Sequence, residues 1–97
     1  MAEDRSIIGE SRAGSAARSV TSFAVDDEPL ARRQIAMLLE QLPWVHHLGE
    51  ASDGVAAMQA IDTLRPDVLL LDIEMPELSG LQLAERLTYA PAVIFTT

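Results

Sequence analysis

Lysine and cysteine are both missing from these 97 residues, and all seven basic side chains are arginine. The lack of lysine excludes any mechanism built on a catalytic lysine. The lack of cysteine excludes disulfides, thiol chemistry and cysteine-ligated zinc. Against the seven arginines stand 15 acids, a net charge of −8, so the chain offers no basic patch for nucleic acid. Long apolar runs are missing too. None approaches the roughly 18 residues of a membrane span, and the N-terminus has no apolar block of the signal-peptide kind. The expectation is a cytoplasmic protein that by itself binds neither nucleic acid nor membrane. What is present is 48% apolar residues, enough for the core of one small domain.

Residues 1–20 read as a mostly disordered N-terminal extension, with a short helix around Ser15–Ser19 as the other reading. They are rich in Ser, Ala, Gly and Arg, and their three acids balance three arginines. The whole negative charge therefore falls on residues 21–97. From Thr21 onward the pattern is regular. Ser22–Val25 is a short apolar run that ends in Asp26, Asp27 and Glu28, which predicts a buried strand with an acidic C-terminal end. Pro29 suits the first turn of a helix, with Asp27 or Glu28 as its cap. Leu30, Ile35, Leu38, Leu39 and Leu42 form its apolar stripe, and Pro43 stops it. Val45–Ala51 is a weaker strand. Ser52-Asp53-Gly54 turns into a second helix with a stripe of Val55, Met58, Ile61 and Leu64. Val68–Leu71 is apolar on consecutive residues, the mark of a central parallel strand covered on both faces, and it also ends in an acid, Asp72. A loop with Met75, Pro76 and Gly80 leads to a short helix with Leu81, Leu83, Ala84 and Leu87. Pro91 breaks it, and Ala92–Phe95 is a fourth strand.

The order β-α-β-α-β-α-β predicts an α/β fold: a parallel, doubly wound sheet with right-handed crossovers. In such sheets the chemistry sits beyond the carboxyl ends of the strands. The first and third strands both end there in Asp. Two readings of these acids stand side by side. One is helix capping, by Asp27 or Glu28 before Pro29 and by Glu77 or Ser79 before the third helix. The other is convergence of three carboxylates on one pocket. They would raise one another's pKa unless a cation neutralised them, and hard oxygen ligands of this kind suit Mg²⁺.

The segments Val25-Asp26-Asp27-Glu28-Pro29-Leu30-Ala31-Arg32, Pro66-Asp67-Val68-Leu69-Leu70-Leu71-Asp72-Ile73-Glu74-Met75-Pro76 and Ser79-Gly80-Leu81, in that order, strongly resemble the receiver domain of bacterial response regulators. Val93-Ile94-Phe95-Thr96-Thr97 is similar to the family's fourth strand. The wording is most like the branch that carries LytTR-type DNA-binding domains. The resemblance covers residues 22–97 and implies an incomplete flavodoxin-like fold, from a family whose full sheet order is 2-1-3-4-5. It implies two-component phosphorelay signalling, with Asp72 as the residue that takes a phosphoryl group from a phosphohistidine on a sensor histidine kinase. It further implies that Asp27 ligates Mg²⁺ directly, Asp26 through water and Glu74 through its backbone carbonyl, while Thr97 supplies a hydroxyl to the phosphoryl group. Thr96 takes that role if the register differs by one. Such a domain is a phosphoacceptor and not an enzyme, beyond its own phosphorylation and dephosphorylation. A second receiver is a further expected partner, as a homodimer. The family's fold continues through a fourth helix, a fifth strand that ends in a lysine, and a fifth helix. The present residues stop short of these.

Two other functions fit less well. An aspartate-nucleophile phosphatase is loosely suggested by Asp72-Ile73-Glu74, but it needs Asp at the second acidic position and a later lysine. The other is a phosphorylation-incompetent receiver that acts as an interaction module. Among the remaining residues, adjacent His46 and His47 point to opposite faces of a strand and read as exposed, not as a metal site. Trp44 reads as a cap on the core beside the first helix. Arg32 and Arg33 read as a solvated helix face, with contact to a kinase as the other reading. Gly80 is expected at a close turn or a positive φ.

Overall fold

A computed structural model describes residues 19–96 of the chain. Most of the expected N-terminal extension, and Thr97, lie outside the described residues. The elements are β1 (Val20–Val25), α1 (Pro29–Glu40), β2 (Val45–Ala51), α2 (Gly54–Leu64), β3 (Val68–Asp72), α3 (Gly80–Glu85) and β4 (Ala92–Thr96). All strands are parallel, in the order β2-β1-β3-β4. β1 begins at Val20 and not at Ser22. The reason is a lock that periodicity does not reveal: Asp67 Oδ2 accepts from both the Thr21 backbone N–H and the Thr21 hydroxyl, while the Asp67 N–H donates to Thr21 Oγ1.

Each helix starts on a side-chain cap. Glu28 accepts from the Leu30 N–H ahead of Pro29, Asp53 Oδ1 accepts from Ala56 N–H at 2.7 Å, and Ser79 and Gln82 form a reciprocal capping box. Glu28, not Asp27, is thus the cap of α1, which leaves Asp27 free for other work.

The two faces of the sheet are unequally covered. On one face Phe23, Val25, Leu69 and Leu71 pack against Ala57 and Ile61 of α2, Leu83 of α3, and Met75 and Leu78 of the loop after β3. On the other face α1 is the one helix among the described residues, and it contributes no fully buried residue. Val68 and Leu70 are therefore only half-buried, so β3 is fully covered on one face and not on both. Leu30 and Leu38, expected in the α1 stripe, are 61% and 64% exposed, while Ile35 and Leu39 turn inward. In α2 the buried residues are Gly54, Ala57 and Ile61. Val55 lies about 200° around the helix from Ala57 and faces solvent. Trp44 is half-exposed and lines a cavity of about 170 Å³ with Leu39, Leu42, Leu70 and Ile94, between α1 and the sheet.

β2 carries a bulge. Ser22 pairs with His47 but Phe23 pairs with Gly49, so Leu48 is the extra residue. Residues three apart on a regular strand face opposite ways. The bulge returns Glu50 to the α1 side, the side of His47, where the two side chains stand 3.9 Å apart. His47 is consequently not an exposed strand residue. Its Nδ1 is 2.8 Å from the buried Ser22 hydroxyl, and burial lowers its pKa against the opposing pull of Glu50.

A candidate carboxylate site at the sheet's topological switch

β1 and β3 are neighbours in the sheet, and their crossovers leave in opposite directions, α1 from β1 to β2 and α3 from β3 to β4. The crevice between their C-terminal ends is where such sheets bind ligands. Asp26 and Asp27 follow β1 there, and Asp72 ends β3. One carboxylate oxygen from each lies within 4.8 Å of the others. The convergence reading of these acids is the one the geometry supports.

Each acid is held differently. Asp26 is buried; its N–H continues the ladder to Ala51 O at 3.1 Å, and its Oδ1 accepts from the Glu28 N–H at 2.9 Å. Asp27 is exposed at the mouth of the crevice. Asp72 is 9% exposed, and its Oδ1 accepts from the Glu74 N–H at 3.2 Å. Burial pushes the Asp72 carboxyl above its ordinary pKa. The Glu74 N–H opposes this, and the charges of Asp26 and Asp27 add to it. A site that strains to hold three negative charges is one that a divalent cation relieves, and an all-oxygen donor set suits a hard cation. Glu74 does not bring its carboxylate to the cluster. Its side chain is exposed, and it borders the site through its backbone.

The loop after β3 closes the floor of the site. Gly80 N–H donates to Ile73 O at 3.1 Å, and the Gly80 Cα lies against the Asp72 carbonyl. The glycine is required there by close approach and not by a positive φ. The left-handed residue of this loop is Glu77, at φ 70°. Thr97 lies outside the described residues. Thr96 is the register partner of Asp72, its carbonyl accepts from Ile73 N–H, and its buried hydroxyl has no hydrogen-bond partner among the described residues.

Arg32 was not expected at this site and does not belong to a solvated face. Its guanidinium NH1 donates to the Asp26 carbonyl at 2.7 Å, and its Nε lies 3.4 Å from Glu50 Oε1. Only the position of Arg32 six residues after Asp26 hinted at this. The anchoring Glu50 depends on the β2 bulge.

A family model described as the response regulator receiver domain matches residues 23–97. The positive alginate biosynthesis regulatory protein of Pseudomonas aeruginosa is 53% identical over 77 residues, covering 75% of this chain and 31% of that protein. The transcriptional regulatory protein BtsR of Escherichia coli is 43% identical over 75 residues, again 75% of this chain and 31% of the relative. The chain thus spans about a third of the length of these curated relatives. Among solved structures, the signal receiver domain of the putative response regulator NarL from Mycobacterium tuberculosis superposes with a TM-score of 0.66 at 40% identity, covering 69% of this chain and 54% of that one. The isolated receiver domain of RcsB from Salmonella enterica serovar Typhimurium, determined in the presence of phosphomimetic BeF3−, gives 0.73 at 28% identity, covering 79% and 60%. With its carboxylates gathered at the switch between β1 and β3, the chain belongs to the receiver-domain family of two-component response regulators.

Proposed function

We propose that Asp72 accepts a phosphoryl group from a phosphohistidine of a sensor histidine kinase. A carboxylate oxygen of Asp72 forms the new O–P bond, the P–N bond breaks, and its electron pair returns to the imidazole. The observation that carries this reading is the convergence of Asp26, Asp27 and Asp72 within 4.8 Å at the mouth of the sheet. The raised pKa of Asp72, caused first by burial and then by the charges of Asp26 and Asp27, is in keeping with it. Asp26, Asp27, Asp72 and the Glu74 backbone carbonyl would hold Mg²⁺, which when bound neutralises the charge of the phosphoryl oxygens. The presence of BeF3− as a phosphomimetic with the similar RcsB receiver is in keeping with phosphorylation of this fold.

On this reading the chain is a phosphoacceptor and not an enzyme. It works in the cytoplasm, where its partners are the kinase and a second receiver. Among the described residues no helix is long and apolar enough to cross a membrane. The switch hydroxyl is assigned to Thr97. The test is incubation of the chain with Mg²⁺ and acetyl phosphate, followed by trapping of the acyl phosphate and mass spectrometry. The mass gain maps to Asp72, and Asp72→Asn abolishes it. A modification that persists in that variant, or none under any phosphodonor, overturns the assignment.

A further inference from the structure

The acid pair Asp26–Asp27 is joined by one peptide group, and that group is held from outside the site. A peptide is planar, so its carbonyl, its N–H and the two flanking Cα atoms move together. The carbonyl is that of Asp26, and it accepts from Arg32 NH1 at 2.7 Å. To fix this oxygen is to fix the direction in which the Asp27 Cα, and with it the exposed carboxylate, leaves the strand. Arg32 is itself fixed. It is only 20% exposed, and its Nε reaches Glu50 Oε1 on β2. The planar fork of the guanidinium meets the carbonyl with NH1 and the carboxylate with Nε, two nitrogens in a fixed geometry that a single ammonium nitrogen does not reproduce. The guanidinium reaches a backbone carbonyl and not the three carboxylates, so it leaves the acids available to a cation.

We propose that Arg32, anchored by Glu50 across the β2 bulge, is a positioning residue for the cation site, acting through the Asp26–Asp27 peptide plane. This rests on the reading of the three acids as a Mg²⁺ site and adds to it the element that orients the exposed ligand. The β2 edge strand thereby becomes part of the site's support, although it contributes no ligand. Glu50 also lies 3.9 Å from His47 Nε2, so the support ends in the Ser22–His47 pair on the same face.

The experiment is a Mg²⁺ titration of the chain followed by amide shifts, on the unsubstituted protein and on Arg32→Gln, Arg32→Lys, Glu50→Ala and Asp27→Ala. Loss of an outer support of this kind costs roughly tenfold in metal affinity. Arg32→Gln should therefore bind Mg²⁺ roughly tenfold more weakly. Glu50→Ala should fall between Arg32→Gln and the unsubstituted chain. Arg32→Lys should restore part of the loss, since one donor still reaches the carbonyl. Core amides at Ile61 and Leu83 report separately that each variant is folded. A merely structural role would lower the unfolding midpoint and leave the affinity of the folded protein unchanged, and that result overturns the proposal. If Asp27→Ala abolishes the response while Arg32→Gln binds normally, the metal-site reading stands and the role of Arg32 falls. If the unsubstituted chain shows no response at millimolar Mg²⁺, both fall.

Discussion

Gly80 lies against the backbone of Asp72 so closely that a β-carbon at position 80 would overlap the Asp72 carbonyl oxygen and crowd Ile73 Cα. Both clashing partners are backbone, so no side-chain rotation relieves them. Gly80→Ala must therefore push α3 away from the end of β3. Overpacking of this kind costs about 1–3 kcal/mol, and Asp72 shifts with the displaced loop. Urea unfolding should show a loss of about 2 kcal/mol, with a weakened Mg²⁺ response. An unchanged midpoint would show that the loop yields more easily than its backbone contacts imply.

The order of the elements was legible because acid-ended apolar runs alternate with capped helical stripes. Asp26, Asp27 and Asp72 could be placed at one end of the sheet from strand ends alone. Other features depended on contacts between distant segments. The Thr21–Asp67 lock extends β1, and it joins residues 46 apart in sequence. The bulge at Leu48 turns Glu50 toward α1, and without it Arg32 has no anchor. Periodicity marks Leu30 and Leu38 as apolar but says nothing of whether a neighbour exists to cover them. Gly80 was correctly singled out, but the reason for it is a close approach. The left-handed conformation falls on Glu77, which no local rule favours.

Asp72 should make stability fall as pH rises from acid toward neutral, when compared with a variant lacking its charge. Its folded pKa is raised above the ordinary 3.8, by burial first and by Asp26 and Asp27 with it. The folded state therefore keeps the proton to higher pH than the unfolded chain. The stability this confers is complete below pH 3.8 and is lost as pH rises through the folded value. Asp72→Asn should raise the urea midpoint at neutral pH, and the advantage should vanish in acid. Mg²⁺ should narrow it as well. Equal midpoints at neutral pH without metal would show that neither burial nor the neighbouring acids penalise the Asp72 charge.

His47 works in the opposite sense. Burial depresses its pKa below 6.5, against the favourable charge of Glu50, and Glu40 lines the same groove beside the ring. The folded state thus binds its proton less readily than the unfolded chain. Stability is present above pH 6.5 and declines as pH falls through that value toward the folded one. His47→Gln keeps a partner for Ser22 and should flatten the decline. Urea midpoints measured from neutral pH down to mildly acidic pH, side by side for the two proteins, decide it. Parallel slopes would mean that other groups dominate.

Phosphorylation of these 97 residues should be slow and incomplete, because the chain holds no lysine to oppose the added charge. Phosphorylation replaces the single charge of the Asp72 carboxylate by about −1.5 to −2 at neutral pH, in a crevice that still holds the carboxylates of Asp26 and Asp27. Mg²⁺ offsets part of this. A version extended through the family's fifth strand and its lysine should label faster with acetyl phosphate and reach a higher yield. Equal rates would show that the cation alone carries the charge balance.

The α1 side of the sheet should make the isolated chain weakly self-associating. Leu30 and Leu38 are mostly exposed, Ile94 on β4 is 52% exposed, and β4 is an edge strand in the sheet order. Burying one Leu or Ile side chain is worth about 1.5–3 kcal/mol, so covering this face recovers a large share of the roughly 5–15 kcal/mol that stabilises a domain. A second copy laid along β4 also satisfies its open backbone groups. Sedimentation should therefore show a concentration-dependent dimer, and the melting temperature should rise with concentration, because association stabilises only the folded form. Leu38→Glu combined with Ile94→Thr should abolish both effects without moving the Mg²⁺ response, since neither residue is among the three converging acids. A monodisperse monomer with a sharp, concentration-independent transition at high temperature would show that α1 alone suffices to protect this face.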